Sequence, residues 1–220
     1  MPVRRTLWRM RPARLGRGAR LGGVVLPALL GCMAAAGAEP RITIAEQLYN
    51  IEGSSVAELK EAMAEKGPYS KAKEHHVPAR TEATTDFRFT ARWNRGACEV
   101  ADIRVTADIT YIYPNWLDVG EADEALADKW VEYFGRLLVH EHGHGQMVVA
   151  AAHEVEAALA GMGRWKSCKQ LRARARARGE EILRAMAAAQ ISYDEETGGG
   201  ETQGAVLRDD ADAEPEPTIN

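Results

Sequence analysis

With 220 residues, 45% of them hydrophobic, the chain can bury one proper core but is short for two full domains once its ends are discounted. Its formal charge of −4 is unevenly spread: seven arginines stand between Arg4 and Arg20 with no acid before Glu39, so the rest of the chain carries −11. That balance argues against a nucleic-acid partner.

Residues 1–38 read as an export signal, with an arginine-rich start, an apolar stretch from Leu21 to Ala36, and Ala36-Gly37-Ala38 as the cleavage site before Glu39. The apolar stretch is too short, and too interrupted by glycines and Pro27, for a convincing membrane-spanning helix. Leu29-Leu30-Gly31-Cys32 loosely fits a lipoprotein box in which Cys32 would be lipidated, and Arg4-Arg5 gives a twin-arginine signal. Either way the expectation is an exported protein, periplasmic or extracellular. Cleavage or lipidation removes Cys32 from the free thiols, and an oxidising compartment then favours a Cys98–Cys168 disulfide.

Ile42-Thr43-Ile44 opens a strand that leads to Tyr49 and Ile51. Gly53-Ser54-Ser55 offers a cap for a helix from about Val56 to Ala64, with Val56, Leu59 and Met63 on one face and Gly67-Pro68 ending it. The polar run to Arg80 reads as a loop. Strands follow at about Thr84–Trp93 and Cys98–Tyr113 around the turn Asn94-Arg95-Gly96, with Pro114 and Asn115 stopping the second. In that second strand Ile103, Val105, Ala107, Ile109 and Tyr111 alternate with polar residues, so one face is buried and the other wet.

From about Glu121 to Met162 the period becomes helical. Leu126, Trp130, Tyr133, Leu137, His140 and His144 recur at steps of four and three, so the histidines continue the core-facing stripe. Gly161 and Gly163 break this helix, and a second runs from about Trp165 to Gln190 with Cys168, Leu171, Ile182 and Met186 inward. Its arginines at 172, 174, 176 and 178 form a solvated face balanced by Glu180 and Glu181. Beyond Ser192 glycine and then acidic residues and proline dominate, and residues 208–220 are expected to be a disordered acidic tail. The element order predicts an α+β fold for residues 39–207: a small antiparallel β-hairpin or sheet packed on two long helices.

His140-Glu141-His142-Gly143-His144 carries the sharpest chemistry. Residues four apart lie one turn above each other, so His140 and His144 can aim ring nitrogens at one Zn²⁺. Glu141, about 100° round the axis, reaches a water as general base. His142 faces away. Gly143 and Gly145 are costly in a helix, which implies that a neighbour needs their space. A catalytic zinc takes three protein ligands. Glu154 lies about 15 Å further along the helix from His144 and is excluded as the third. The remaining candidates are Asp194, Glu180 or Glu181, and the His75-His76 pair.

Further segments carry a resemblance. These are Tyr49-Asn50-Ile51-Glu52-Gly53, the hairpin with Cys98, Pro114-Asn115-Trp116, the helix Trp130 to His144, Cys168, Tyr193-Asp194-Glu195-Glu196-Thr197, and Thr202-Gln203-Gly204-Ala205. From about Tyr49 to Ala205 the chain resembles the bacterial predicted secreted zinc-dependent proteases, a domain-of-unknown-function family with an HExxH motif. The resemblance implies a zincin-like active-site helix, a zinc cofactor and a peptide or protein substrate. The family's late segment reads Tyr-Asp-x-x-Thr-x-His-Gly, whose histidine would be a third ligand, and this chain has Gly199 there. Asp194 ligating instead, a water in that position, and a degenerate relative are the three ways to read the departure. With Asp194 as the ligand, the site is Zn²⁺ on His140, His144 and Asp194 with Glu141 as catalytic base. The alternative is a non-catalytic zinc-binding scaffold of the envelope.

Overall fold

The structure, a computed structural model, describes residues 39–209. The signal segment with its cleavage site and Cys32, and the acidic tail from residue 210, lie outside the described residues.

A long hairpin, β4 (Arg80–Asn94) and β5 (Ala97–Trp116), is the frame on which the rest is assembled. Its alternation sorts the two faces as expected. Val105, Ala107, Ile109, Tyr111 and Tyr113 are buried against the helices, whereas Arg104, Thr106 and Asp108 point to water. The pairing of Thr81 with Tyr111, Ala83 with Ile109 and Thr85 with Ala107 puts these β4 residues on the same inner face. One irregularity interrupts the ladder between Arg88 and Thr90, where Asp102 takes a positive φ of 50° and its carboxylate accepts from the Thr90 hydroxyl at 2.7 Å.

The first strand, β1 (Arg41–Ile51), lies on the other side of β5 and runs parallel to it, giving the order β1-β5-β4. The sheet is therefore mixed, with the expected antiparallel hairpin as one half. A parallel neighbour needs a long crossover, and α1 (Val56–Lys66), capped by the Ser55 hydroxyl, supplies its helix. Two local expectations are corrected. The polar run after Pro68 is not wholly a loop, because β2 (Tyr69–Ser70) and β3 (His75–His76) pair across its tip. Nor do Pro114 and Asn115 stop β5, which continues beside β1 to Trp116. Pairing with β4 ends at Ile112, so from there one edge of β5 is open and tolerates a residue without an N–H.

Helices α2 (Glu124–Ala160) and α3 (Cys168–Thr197) form an antiparallel pair over the inner face. Asp123 starts α2 by accepting from the Leu126 N–H at 2.9 Å, and Gly161 closes it. The α3 helix runs seven residues beyond the expected Gln190, and a left-handed Gly198 ends it. This extension brings Asp194 into the helix. At the turn end of the hairpin, Cys98 and Cys168 form the expected disulfide across a separation of 70 residues, and Cys98 exchanges main-chain hydrogen bonds with Trp165 at 2.7 and 2.9 Å. One apolar cluster joins the sheet, α1, α2 and α3, from Ile51 and Leu59 through Ile109, Val148 and Val155 to Ile182.

The glycines of the histidine motif have steric causes. A Cβ on Gly143 would run into the Tyr193 ring of α3, and one on Gly145 into the Tyr111 ring of β5. The space they leave admits a strand and the neighbouring helix.

Two stability measurements follow from this packing. Replacing both cysteines by serine is expected to lower unfolding free energy in urea by about 4 kcal/mol, the chain-entropy value for so long a loop. A loss below about 1 kcal/mol would show that the bond does not hold the hairpin to α3. Gly145→Ala is expected to destabilise by ~1–3 kcal/mol through overpacking. Gly135→Ala, on the same helix with nothing within 4 Å of its added Cβ, is expected to stabilise by up to ~1 kcal/mol. Equal effects at the two positions would remove the steric explanation.

Candidate metal centre

Because α2 and α3 are antiparallel, the residues that meet are fixed in register: Glu154 faces Arg178, His144 faces Gln190 and His140 faces Asp194. The two histidines are only 3% and 7% exposed, so their ring nitrogens need partners. His140 Nδ1 lies 2.9 Å from Gln203 Oε1, and His144 Nδ1 lies 3.0 Å from Gln190 Oε1. An amide oxygen only accepts, so both rings carry hydrogen on Nδ1. The amide orientations are themselves supported, since Gln190 Nε2 donates to the Met186 sulfur at 2.9 Å and Gln203 Nε2 to the Tyr193 hydroxyl at 3.0 Å. Tyr193 also stacks on His140, with centroids 5.0 Å apart and planes 10° off parallel, and meets His144 edge-on.

With Nδ1 committed, both Nε2 atoms turn to one oxygen: Asp194 Oδ1 is 3.2 Å from His140 Nε2 and 3.1 Å from His144 Nε2. In neutral rings these nitrogens present lone pairs, and two lone pairs facing a carboxylate repel. A cation between them removes the conflict. It can be a proton or a metal ion, and the donor atoms of His140, His144 and Asp194 all lie within 4.8 Å of one another. Tetrahedral donors at about 2.0–2.1 Å from an ion stand roughly 3.3 Å apart, close to the nitrogen–oxygen spacings here. The two nitrogens and one carboxylate oxygen are a donor set that zinc accepts, and the glutamine bonds to Nδ1 are the outer contacts that orient ligating imidazoles.

Glu141 is 5% exposed and shares with these three residues a cavity of about 340 Å³. The Thr81 hydroxyl donates to its carboxylate at 2.6 Å and also lies 3.0 Å from its main-chain carbonyl. Burial, with the charge of Glu141 added, pushes the phenols of Tyr113 and Tyr133 above the ordinary tyrosine range. Burial pulls His144 down, but the hydrogen bond and charge of Asp194, with smaller help from Glu141 and Gln190, raise it overall. Asp194 is held far below the usual carboxylate range by its hydrogen bonds to His140 and His144, against desolvation and with help from the charges of His144 and Lys73.

Of the third-ligand candidates, only Asp194 joins the two histidines. Glu181 pairs with Arg178 at 3.1 Å, Glu180 lies in a groove with Arg172 and Arg176, and His75 lines the cavity with its Nδ1 turned to the His76 carbonyl. His142 is exposed and packs against the edge of Tyr111. Gly199 has a φ of 67°, and a Cβ on it would meet only Lys73 Nζ, at 2.8 Å, the far end of a flexible side chain. Thr81, Gln190 and Gln203 were missed from the sequence. For Gln190 the signal was there, since steps of four from Ile182 and Met186 reach Gln190 and then Asp194.

Residues 46–201 match a family described as bacterial protein of unknown function (DUF922), and the chain belongs to that family. No curated protein and no solved structure matches the chain.

In metal-free protein the cluster ties stability to pH. The raised His144 contributes stability present below the ordinary histidine value of 6.5 and lost as pH rises through its folded value. The depressed Asp194 contributes stability present above its ordinary 3.8 and lost as pH falls towards its folded value. Between 3.8 and 6.5 both contributions are complete. Thermal unfolding of the chelated wild type should therefore show an advantage over Asp194→Asn in that window that shrinks on either side. Parallel profiles for the two proteins would rule out the coupling.

Proposed function

We propose that this member of the family is an exported zinc-dependent metallopeptidase, its Zn²⁺ held by His140, His144 and Asp194 and its general base Glu141. The observation that carries the reading is the convergence of two Nε2 atoms on Asp194 Oδ1 at 3.1–3.2 Å, with both Nδ1 atoms tied to glutamine oxygens. Zinc in such a three-ligand site keeps a position open, polarises a carbonyl and lowers the pKa of a water.

The remaining work falls to the chain's own groups. Glu141 takes a proton from the attacking water and returns it to the leaving amine, its carboxylate oriented by the Thr81 hydroxyl. Gln190 and Gln203 hold the imidazoles in the tautomer that frees Nε2, and Tyr193 fixes the plane of the His140 ring. An extended substrate lies along the free edge of β4, where Arg80 to Thr85 face Gln190 and Met186 across a groove that meets the cavity at Arg80, Thr81 and Gln190.

The test is metal content by mass spectrometry on the purified, oxidised chain, together with hydrolysis of a peptide mixture. Wild type and Gly199→His are expected to carry near-stoichiometric zinc, and His144→Ala and Asp194→Ala to lose it. Glu141→Gln should keep the metal while turnover falls by about 10²–10⁴-fold. Zinc without turnover in the wild type would leave the non-catalytic envelope scaffold in place of the enzyme. No zinc in any of these proteins would sink both.

A further inference from the structure

The cavity has a wall that the peptidase chemistry does not use. Residues Tyr69 to His76 fold back on themselves as the β2–β3 hairpin, and the segment after its tip returns along the cavity to Arg80 and Thr81. Glu74 takes a positive φ of 57° to make that turn, and the Lys73 N–H donates to the Ser70 hydroxyl at 3.3 Å.

The tip leans over the glycine turn that follows α3. There Gly200 packs so closely on the His140 ring that an added Cβ would lie 3.0 Å from its Cγ, and Gly199 meets the Lys73 ammonium. Lys73 therefore stands one residue away from the ring of a ligand histidine, at the end of the cavity opposite the β4 groove. Among the described residues no carboxylate lies within ion-pair distance of its ammonium. The other basic residue lining the cavity is differently employed: Arg80 donates to the Tyr69 carbonyl at 2.7 Å and pairs with Glu82 at 3.6 Å.

An ammonium that lines a peptide cleft without an ion pair, the acid whose charge it feels being Asp194, which is already committed to both histidines, is matched to an anion on the substrate. The cleft extends past the histidines along β4, and on the hairpin side it meets a second, largely apolar groove at His75, Pro78 and Ala205, so an extended chain can run past Lys73 as well as end there. We infer that Lys73 is a specificity-determining residue that docks a substrate carboxylate, and that the substrates are peptides carrying such a carboxylate close to the scissile bond. The inference rests on the peptidase reading and names its substrate class. A carboxylate can come from the chain terminus or from an acidic side chain, and the two are separable.

Full-length oxidised protein carrying Glu141→Gln, which binds without turnover, is immobilised and its zinc content is measured. It is offered a pool of heptapeptides randomised in the last four positions, made once with free C-termini and once as C-terminal amides. Retained peptides are identified by mass spectrometry. The free-acid pool is expected to be held about tenfold or more tightly than the amide pool, the range of one charge-assisted hydrogen bond. Adding Lys73→Gln should abolish that preference, and Lys73→Arg should restore it. If amides are retained only when Asp or Glu is present, and that dependence also disappears in Lys73→Gln, the docked carboxylate is a side chain's. Equal retention of both pools without an acidic bias, a preference that survives Lys73→Gln, or no retention at all overturns the inference. Zinc present with no acid preference removes this inference and leaves the peptidase reading standing, whereas absent zinc counts against that reading itself.

Discussion

Two buried imidazoles and a half-buried carboxylate meet at about 3 Å on the wall of a cavity, and lone pairs on all three atoms make that convergence stable only with a cation among them. Much of the fold can be traced to holding it. The histidines are fixed on α2 by the packing of its apolar stripe, Leu126 to Leu137 below them and Val148 to Leu159 above. Asp194 is fixed on α3 by a stripe of its own from Leu171 through Ile182. The antiparallel register sets one against the other, and the disulfide ties the start of α3 to the start of β5, far along the helix pair from the ligands. A shift of one helical turn between α2 and α3 would move Asp194 about 5.4 Å and dissolve the cluster.

Local pattern and long-range register were unequally visible in the sequence. The stripe that includes His140 and His144, the hairpin alternation, the disulfide and the capped α1 depend on neighbours in the chain or on simple counting, and the structure has all of them. Less visible was whatever depends on which strand lies beside which. The parallel seat of β1 is one case, and with it the passage of β5 through Pro114. Thr81 is another: nothing near it in sequence marks it as the partner of Glu141, sixty residues later. The end of α3 was obscured by composition, because the polar Gln190, Tyr193, Asp194 and Thr197 resemble a fraying tail. Plotted at helical spacing, they are the point where a buried stripe changes from apolar to polar. The same change occurs on α2 after Leu137, and two facing stripes that turn polar at one level mark a built site.

The family comparison and the geometry bear on different questions. Family membership says which chains share this fold, and the family described there has no assigned function. The donor set marks a group that could hold a metal ion, because bonded glutamines leave each imidazole one free nitrogen and the last turn of α3 brings a carboxylate to both. Gly199 fits this picture without a histidine. The Lys73 ammonium lies beside it, and Asp194 meets both rings from within the helix.

That exchange changes the electroneutrality of the centre. The outer partners of both imidazoles are neutral amides, so Glu141 and Asp194 are the carboxylates that line the cavity beside them. A divalent ion would balance those two acids and no more. Lys73 then leaves the cleft one positive charge in excess, since Arg80 is offset by Glu82. A loaded centre of this kind would draw negatively charged groups towards that end of the cleft. Small carboxylates in solution would compete for the same place.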